Sequence, residues 1–319
     1  MITGRFAPSP TGRMHLGNVF CALLSWLSAR SRNGRWLLRI EDLDPQRSRR
    51  EYAMQLMDDL QWLGLPWDDT PVWQSQRSDI YAEYLSRLTD MGLTYPCYCT
   101  RADIMATQAP HETDGRVVYR GTCRPRSGTD NSKWHDGGTC NMPHNAPAAT
   151  RLMVPDRVIP FRDGHYGDHN LNLAIHCGDY IVRRRDGAWA YQLAVVVDDA
   201  LTGVTEIVRG RDLLLSSPQQ IHLRELLFPP TATDSEAIRF THHPLLCNAT
   251  GQRLCKRDKS MDIGYLRACG ISPQEITGQL AYLAGLVPEP LPMTPAELLP
   301  HFSWDKVPRK DICMTKRTE

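Results

Sequence analysis

The run Arg5-Phe6-Ala7-Pro8-Ser9-Pro10-Thr11-Gly12-Arg13-Met14-His15-Leu16-Gly17-Asn18 places side chains able to do chemistry where the backbone must also turn, with two prolines and a glycine between a short segment and a helix. The helix is predicted from Leu16, Val19, Phe20, Leu23, Leu24 and Leu27, whose spacing builds one apolar face, and Asn33-Gly34 is its stop. His15 and Gly17 therefore fall in its first turn. A helix start presents unpaired backbone N–H groups and a partial positive charge, which suits a phosphate, and Gly17 removes the side chain that would hold a nucleotide away. Taken alone, the same residues also serve as an ordinary helix cap.

Two further clusters carry reactive types. Lys256-Arg257-Asp258-Lys259-Ser260 offers two ammonium groups that could close over the same triphosphate, although such a pentamer alone reads as a solvated charge run. Neither a G-x-G-x-x-G after a strand nor a G-x-x-x-x-G-K-[ST] is present, so the usual dinucleotide and P-loop cradles are unsupported. Cys97-Tyr98-Cys99 with Cys123 suits tetrahedral zinc, yet three thiolates leave the fourth position open, and His111, His135, Cys140 and His144 lie near enough in sequence to compete for it. Cys21, Cys177, Cys247, Cys255, Cys269 and Cys313 are scattered and read as inert thiols.

The elements that must position these groups alternate. Trp36 to Asp42 reads as a strand ending in acids; Ala53, Leu56, Met57, Leu60 and Leu63 mark one amphipathic helix, and Tyr81, Tyr84, Leu85, Leu88 and Met91 another. From Tyr95 to His176 this pattern breaks into a cysteine-bearing insertion, with a short helix capped at Thr100 and a polar, flexible loop over Arg126 to Pro147. Order resumes with Tyr180 to Arg183, a helix over Trp189 to Asp199 and a strand over Val204 to Arg209. Helix starts are predicted at Ser217-Pro218, Ser272-Pro273 and Thr294-Pro295 from a capping side chain, a following proline and Glu or Gln at the third position. The interleaving predicts an α/β fold with a doubly wound parallel sheet. Its divisions are 1–94 and 179–260 as the two halves of the sheet domain, 95–178 as the insertion and 261–319 as a short helical region.

The 319 residues carry 37 basic and 36 acidic side chains, so nucleic-acid binding is not argued by net charge and would need a local patch; Arg47, Arg49, Arg50 and Arg183 to Arg185 are candidates. No basic-then-apolar leader and no bilayer-length apolar run is seen, which leads us to expect a cytoplasmic protein with reduced thiols and no membrane contact.

Arg-x-Ala-Pro-Ser-Pro-Thr-Gly, His15-Leu16-Gly17-Asn18, Arg39-Ile40-Glu41-Asp42-Leu43-Asp44, Val196-Val197-Asp198-Asp199, Arg209-Gly210 and the Lys-x-x-Lys-Ser loop, in this order over about 260 residues, resemble the glutamyl and glutaminyl branch of class I aminoacyl-tRNA synthetases. The tetrapeptide corresponds to the HIGH signature and the lysine loop to KMSKS. The resemblance implies a Rossmann-like catalytic domain that joins glutamate to ATP as glutamyl adenylate. It implies a glutamate pocket of Arg5, Ala7, Ser9, Glu41, Tyr191 and Arg209, with Phe6 and Pro8 completing the 5–9 run. The chemistry agrees: guanidinium forks suit the two carboxylates of glutamate and a carboxylate suits its ammonium. ATP would be held by His15, Gly17, Asn18, Lys256 and Lys259; His15, Lys259 and Lys256 would be the catalytic charges, and Mg²⁺ the counter-ion. For zinc, the resemblance supplies Tyr119, four residues before Cys123, as the missing ligand.

Two departures narrow the family. Only 59 residues follow Ser260, fewer than another full domain of roughly 100 residues needs, so no anticodon-binding domain is expected. In Tyr191-Gln192-Leu193-Ala194-Val195 the last position is valine where ordinary glutamyl enzymes show asparagine, which predicts an altered pocket. Together with the insertion's cysteines, these features are similar to the truncated paralogues that glutamylate queuosine. That family implies tRNA-independent glutamate activation, transfer to queuosine at the wobble position of tRNA(Asp), and a monomer with ATP, L-glutamate and tRNA(Asp) as partners. The alternatives are a minimal glutamyl-tRNA synthetase acting on the CCA end, and a non-catalytic RNA-binding or glutamate-sensing paralogue.

Overall fold

Strand β1 (Thr3–Phe6) leads through the proline-containing loop into helix α1 (Leu16–Arg30) and back along β2 (Arg35–Ile40), then by α2 (Arg50–Trp62) to β3 (Asp68–Trp73). This computed structural model describes residues 1–106, 118–125, 146–229, 238–248, 251 and 262–314. Helix α3 (Ser78–Asp90), strand β4 (Thr94–Cys97), helix α4 (Arg101–Ala106), strands β5 (Ala149–Leu152), β6 (Val158–Asp163) and β7 (Gly167–Asn172), helix α5 (Leu173–His176) and strand β8 (Tyr180–Arg183) follow. Then come α6 (Tyr191–Leu201), β9 (Glu206–Gly210), α7 (Ser217–Leu227), β10 (Arg239–His243), β11 (Leu246–Cys247), α8 (Ile263–Ala268), α9 (Pro273–Leu283), α10 (Pro295–Leu298) and β12 (Ile312–Cys313).

Strands β1, β2 and β3 pair in parallel in that order, and β9, β10 and β6 likewise, with β7 antiparallel at the edge. The two sets meet where β1 lies beside β9. Thr205 N–H donates to the Thr3 carbonyl at 3.0 Å, and the Arg5 guanidinium reaches the Val208 carbonyl at 3.2 Å, the ascending match of parallel neighbours. The order is thus β3-β2-β1-β9-β10-β6-β7. The chain moves outward one way through β1 to β3 and the other way from β9, which puts the topological switch point, where such sheets bind ligands, at the C-terminal ends of β1 and β9. Strands β6 and β7, within the 95–178 segment, extend this sheet, whereas β4, β5 and β8 form a separate antiparallel sheet that carries the cysteines.

Helix α1 buries Leu16, Val19, Phe20, Leu23, Leu24 and Leu27 as its spacing predicts, and Ala22, Ser25, Trp26, Ser28 and Ala29 besides. It is enclosed because the sheet covers one side and the C-terminal helices the other, in one apolar cluster with Ile276, Leu280 and Leu298. It ends at Arg30. Asn33 takes a left-handed φ of 52°, and Gly34 is required because a Cβ there would meet the Ile2 carbonyl at 2.7 Å.

Boundaries shift by one or two residues from the predicted ones. The strand read over Trp36 to Asp42 stops at Ile40, leaving Glu41 just beyond its end, and the helix read over Trp189 to Asp199 starts at Tyr191. Thr100, Ser272 and Thr294 cap their helices, each with an acid three residues on that answers the cap's own N–H. Ser217 does not: α7 begins at Ser217 itself after a 3₁₀ turn over Arg211–Ser216, and its hydroxyl accepts from Arg209 at 2.9 Å. A buried guanidinium has the stronger claim on that oxygen. The Arg126 to Pro147 loop lies outside the described residues except at Ala146 and Pro147.

Candidate active site

Alternation along the strands builds the site. In β2, Trp36, Leu38 and Ile40 face α1, while Leu37 and Arg39 face the other side; in β1 and β9 the same split separates Phe6 from Arg5 and Val208 from Ile207 and Arg209. Arg5, Arg39 and Arg209 therefore project from neighbouring strands onto one face, where α6 brings Asp198 and Asp199. At the C-terminal ends of β1, β2, β9 and β10 lies a cavity of about 470 Å³. Its walls are Arg5 to Ser9, Glu41, Tyr191, Arg209 and Gly210 at one end and His15, Gly17, Asn18, Cys21, His243, Leu245 and Leu246 at the other. Every proposed glutamate contact, and His15, Gly17 and Asn18, thus line one space. Lys256 and Lys259 lie outside the described residues.

At the first end the charges are dry and interlocked. The Arg5 Nε donates to Asp199 Oδ1 at 3.3 Å, and Arg39 shares the same oxygen while its Nη2 reaches Glu41 Oε1 at 3.1 Å. Burial alone would raise the Asp199 carboxyl, but Arg39 and Arg5 hold it below the usual carboxylate range. For Glu41 burial wins, raising its carboxyl despite Arg39 and Arg5. Asp198, fully buried, accepts from Gln74 at 2.8 Å, Tyr81 at 2.8 Å and Arg77 at 2.7 Å.

Arg209 differs from the other two arginines. Its Nε–H goes to His242 Nε2 at 3.0 Å, Nη1 to Gln220 at 2.6 Å, and Nη2 to Ser217 and to the Leu213 carbonyl at 3.2 Å. All are neutral acceptors, and among the described residues no carboxylate comes within ion-pair distance. His242 can accept because its other nitrogen, Nδ1, bonds the buried Asp163 at 2.6 Å, and burial pushes its pKa down to about 4. The fork expected to grip a carboxylate is largely spent on the protein. What Arg209 offers the cavity is a buried positive charge without an ion pair of its own: burial lowers its pKa, Arg5 adds to that, and Tyr191 and Asp199 only partly offset it, so an arriving anion is favoured.

At the other end, His15 is the N-cap of α1. Its Nδ1 accepts the Gly17 N–H at 3.1 Å, which puts the imidazole proton on Nε2, and Asn18 Oδ1 accepts the His15 N–H at 3.2 Å. Gly17 has a tighter reason than nucleotide approach alone: a Cβ there would stand 2.9 Å from the His15 ring. Asp262 bridges to His15 and Ile263 N–H donates to the Met14 carbonyl at 3.0 Å, so the chain leaving the lysine pentamer is docked on the helix start. Buried Asp59 ties the two together, holding Arg13 at 3.2 Å and Arg267 at 2.8 Å.

Val195 corrects one expectation. It is buried in the apolar cluster of α3, α6 and α7 and does not line the cavity, so its change from asparagine does not alter the wall directly. Arg183 to Arg185 have local duties: Arg183 stacks over Trp189, Arg184 pairs with Asp44 and Asp186, and Arg185 holds the carbonyls of Tyr98 and Cys99. Arg39, Asp163, Asp199 and His242 were not singled out from sequence as site residues, although Arg39 and Asp199 lie inside the quoted motifs. Their signal was a charged residue on the inner face of an otherwise apolar strand or helix.

The sulfurs of Cys97, Cys99 and Cys123 lie within 4.8 Å of one another. The Tyr119 hydroxyl stands 3.5 Å from Cys97 Sγ and 3.8 Å from Cys99 Sγ. Three sulfurs and one oxygen at such separations match the edges of a tetrahedron with metal–ligand bonds of about 2.0–2.3 Å. Gly178, with φ +63°, lets the Tyr119 segment lie against it in a parallel bridge, since a Cβ would meet the Tyr119 carbonyl at 2.5 Å. His111, His135, Cys140 and His144 lie outside the described residues. Among the described residues no helix is long and apolar enough to cross a membrane.

Residues 1–291 match the family model of tRNA synthetases class I (E and Q), catalytic domain. The chain is 43% identical to a glutamyl-Q tRNA(Asp) synthetase of Symbiobacterium thermophilum over all of its own length and 97% of that protein. It is also 43% identical to one of Nitratidesulfovibrio vulgaris, over 98% of this chain and 95% of the other. A crystal structure of a glutamate tRNA ligase from Elizabethkingia meningosepticum, in complex with its amino acid, superposes with a TM-score of 0.77 at 25% identity, covering 99% of this chain and 68% of that one. A cavity at the switch point, a capped helix start on one side of it and buried charge on the other are what that catalytic fold positions, and the chain belongs to the class I tRNA synthetases of the glutamyl and glutaminyl branch.

Proposed function

We propose that this protein activates glutamate with ATP and transfers the glutamyl group to queuosine at the wobble position of tRNA(Asp). Full-length similarity to proteins of that name supports the reaction. One observation carries the site assignment. Arg209 is a buried cation with only neutral partners, in the same cavity as the carboxylate of Glu41, so the space calls for a ligand with both an anionic and a cationic group.

Glutamate fits with its ammonium on Glu41 and its carboxylates toward Arg5 and Arg209, between the Phe6-Ala7-Pro8-Ser9 wall and Tyr191. Its α-carboxylate oxygen attacks the α-phosphorus of ATP, the bond to the bridging oxygen breaks, and pyrophosphate leaves. Nothing covalent is asked of the protein. The Gly17 end of α1, His15 and Asn18 meet the phosphates, with Lys256 and Lys259 supplying positive charge as the negative charge grows; such a donor is worth about 3 kcal/mol. Asp262 lies three residues after Lys259, a reach of roughly 11 Å at most, and its pairing with His15 supports a lysine over the same nucleotide. Mg²⁺ on the ATP phosphates neutralises part of their charge. A queuosine hydroxyl then attacks the adenylate carbonyl and AMP leaves. On this reading residues 1–94 and 179–260, with β6 and β7 added at the edge of the sheet, form the catalytic part, and Zn²⁺ held by Cys97, Cys99, Cys123 and Tyr119 would tie down the separate β4-β5-β8 unit.

The test is labelled glutamate with ATP and either queuosine-containing or unmodified tRNA(Asp), followed by mapping of the label. Label in the anticodon loop of the modified tRNA alone is expected. Label on the terminal ribose would favour CCA charging, and absence of glutamate-dependent pyrophosphate exchange would favour a non-catalytic protein. Zinc near one equivalent, lost in Cys99→Ser, is expected for the cysteine cluster.

A further inference from the structure

We propose that Arg39, a buried guanidinium outside the cavity wall, is the positioning residue that couples the two halves of amino-acid recognition, Arg5 for a carboxylate and Glu41 for the ammonium.

Arg39 lies on β2 two residues before Glu41, which follows the end of the strand, and the two side chains meet directly. Its side chain is 4% exposed and does not border the cavity. One arm of its fork holds Asp199 Oδ1, the oxygen that also receives Arg5 Nε, and the other holds Glu41 Oε1. The third nitrogen, Nε, is 4.0 Å from Asp198 Oδ2 and has no hydrogen-bond partner among the described residues, because Asp198 is already taken by Gln74, Arg77 and Tyr81. The guanidinium thus gives up one of its own bonds and keeps the two that lead to substrate-facing groups. Such an arrangement needs a planar fork; a lysine ammonium can neutralise charge here but cannot span both carboxylates in fixed directions.

The coupling has an electrostatic consequence. The charged groups that act on Glu41 are Arg39 from β2, Arg5 from β1 and Asp199 from α6, and Tyr191 and Arg209 line the same cavity. Burial raises the Glu41 carboxyl, Arg39 is the largest influence against it, Arg5 a lesser one, and Asp199 adds to the rise. A neutral Glu41 cannot hold an ammonium, so amino-acid affinity falls as pH falls through the pKa of Glu41. Loss of the Arg39 charge leaves Asp199 to repel Glu41 and moves that fall to higher pH.

The inference rests on the reading of Glu41 as the ammonium site, and the experiment separates the two. KM for glutamate, KM for ATP and kcat are measured by pyrophosphate exchange across pH for the wild type, Arg39→Met, Arg39→Lys and Glu41→Gln. Arg39→Met is expected to raise the glutamate KM on the order of 30-fold and move its acidic limb up by about one pH unit, with the ATP KM within about twofold. Arg39→Lys should raise the glutamate KM by roughly 5-fold and leave the limb in place. A folded Arg39→Met with an unmoved limb overturns the proposal. Should that variant fail to fold, an unchanged glutamate KM in Arg39→Lys overturns it instead. Glu41→Gln should abolish the limb and weaken glutamate; an unchanged glutamate KM there sinks the ammonium assignment itself.

Discussion

At the end of the cavity proposed for the amino acid the charged groups sit on strands β1, β2 and β9 and helix α6, and most of them have a partner out of water; at the end proposed for the nucleotide the described groups are those of a helix start, His15, Gly17 and Asn18. Asp199 illustrates the first kind, closed over by Arg5 and Arg39 and only 2% exposed. His15 illustrates the second, oriented by Gly17 and Asn18 within its own turn. The difference follows what each end must recognise. An amino acid has few atoms and needs fixed charges at fixed spacing, whereas a triphosphate needs positive potential that can follow its charge as it moves to the leaving group. One end is built from buried strand and helix faces, and at the other Asp59 and the Asp262 pairing join the start of α1 to the chain that follows the lysine pentamer.

That contrast is broken most severely at Asp199. Asp199→Ala leaves Arg5 and Arg39 buried without the carboxylate they share and is expected to cost about 3–5 kcal/mol of stability along with glutamate binding, read by urea unfolding and exchange kinetics. Lys259→Ala should do the reverse, lowering kcat for glutamate-dependent pyrophosphate exchange roughly 100-fold while the unfolding midpoint stays put. Gly17→Ala pushes a Cβ against the His15 ring and should raise the ATP KM about tenfold, with the glutamate KM nearly unchanged. The smallest effect is on pH. Because the folded Asp199 carboxyl lies below its unfolded value, its contribution to stability is complete above about pH 4 and is lost as pH falls further; acid unfolding of wild type should be steeper than that of Asp199→Asn.

Local pattern carried much of this into view from the chain alone. The apolar spacing from Leu16 to Leu27 and the cap at His15 are properties of adjacent residues, and α1 begins where they put it. Thr100, Ser272 and Thr294 cap for the same reason. Ser217 fitted the same pattern and lost its cap role, because a guanidinium eight positions earlier claimed its hydroxyl. Val195 was read as part of the pocket, but it packs one turn deeper than Tyr191, in the core.

Residue type and spacing by themselves determined the start of α1 behind His15 and the alternation of strands and helices, while the grouping of Arg5 and Arg209 with Glu41 came from resemblance to the family. Only the tertiary structure decided which arginine is already neutralised and which is not. Arg5, Arg39 and Arg209 are alike in sequence, each a cation within an apolar strand; the difference lies in Asp199, which reaches two of them, and His242, Gln220 and Ser217, which surround the third. A charge buried far from water is governed by whatever lies within a few ångströms; Asp199 reaches Arg5 and Arg39 from 194 and 160 residues away, while Arg209 is met by Ser217, Gln220 and His242 from the helix and strand that follow it.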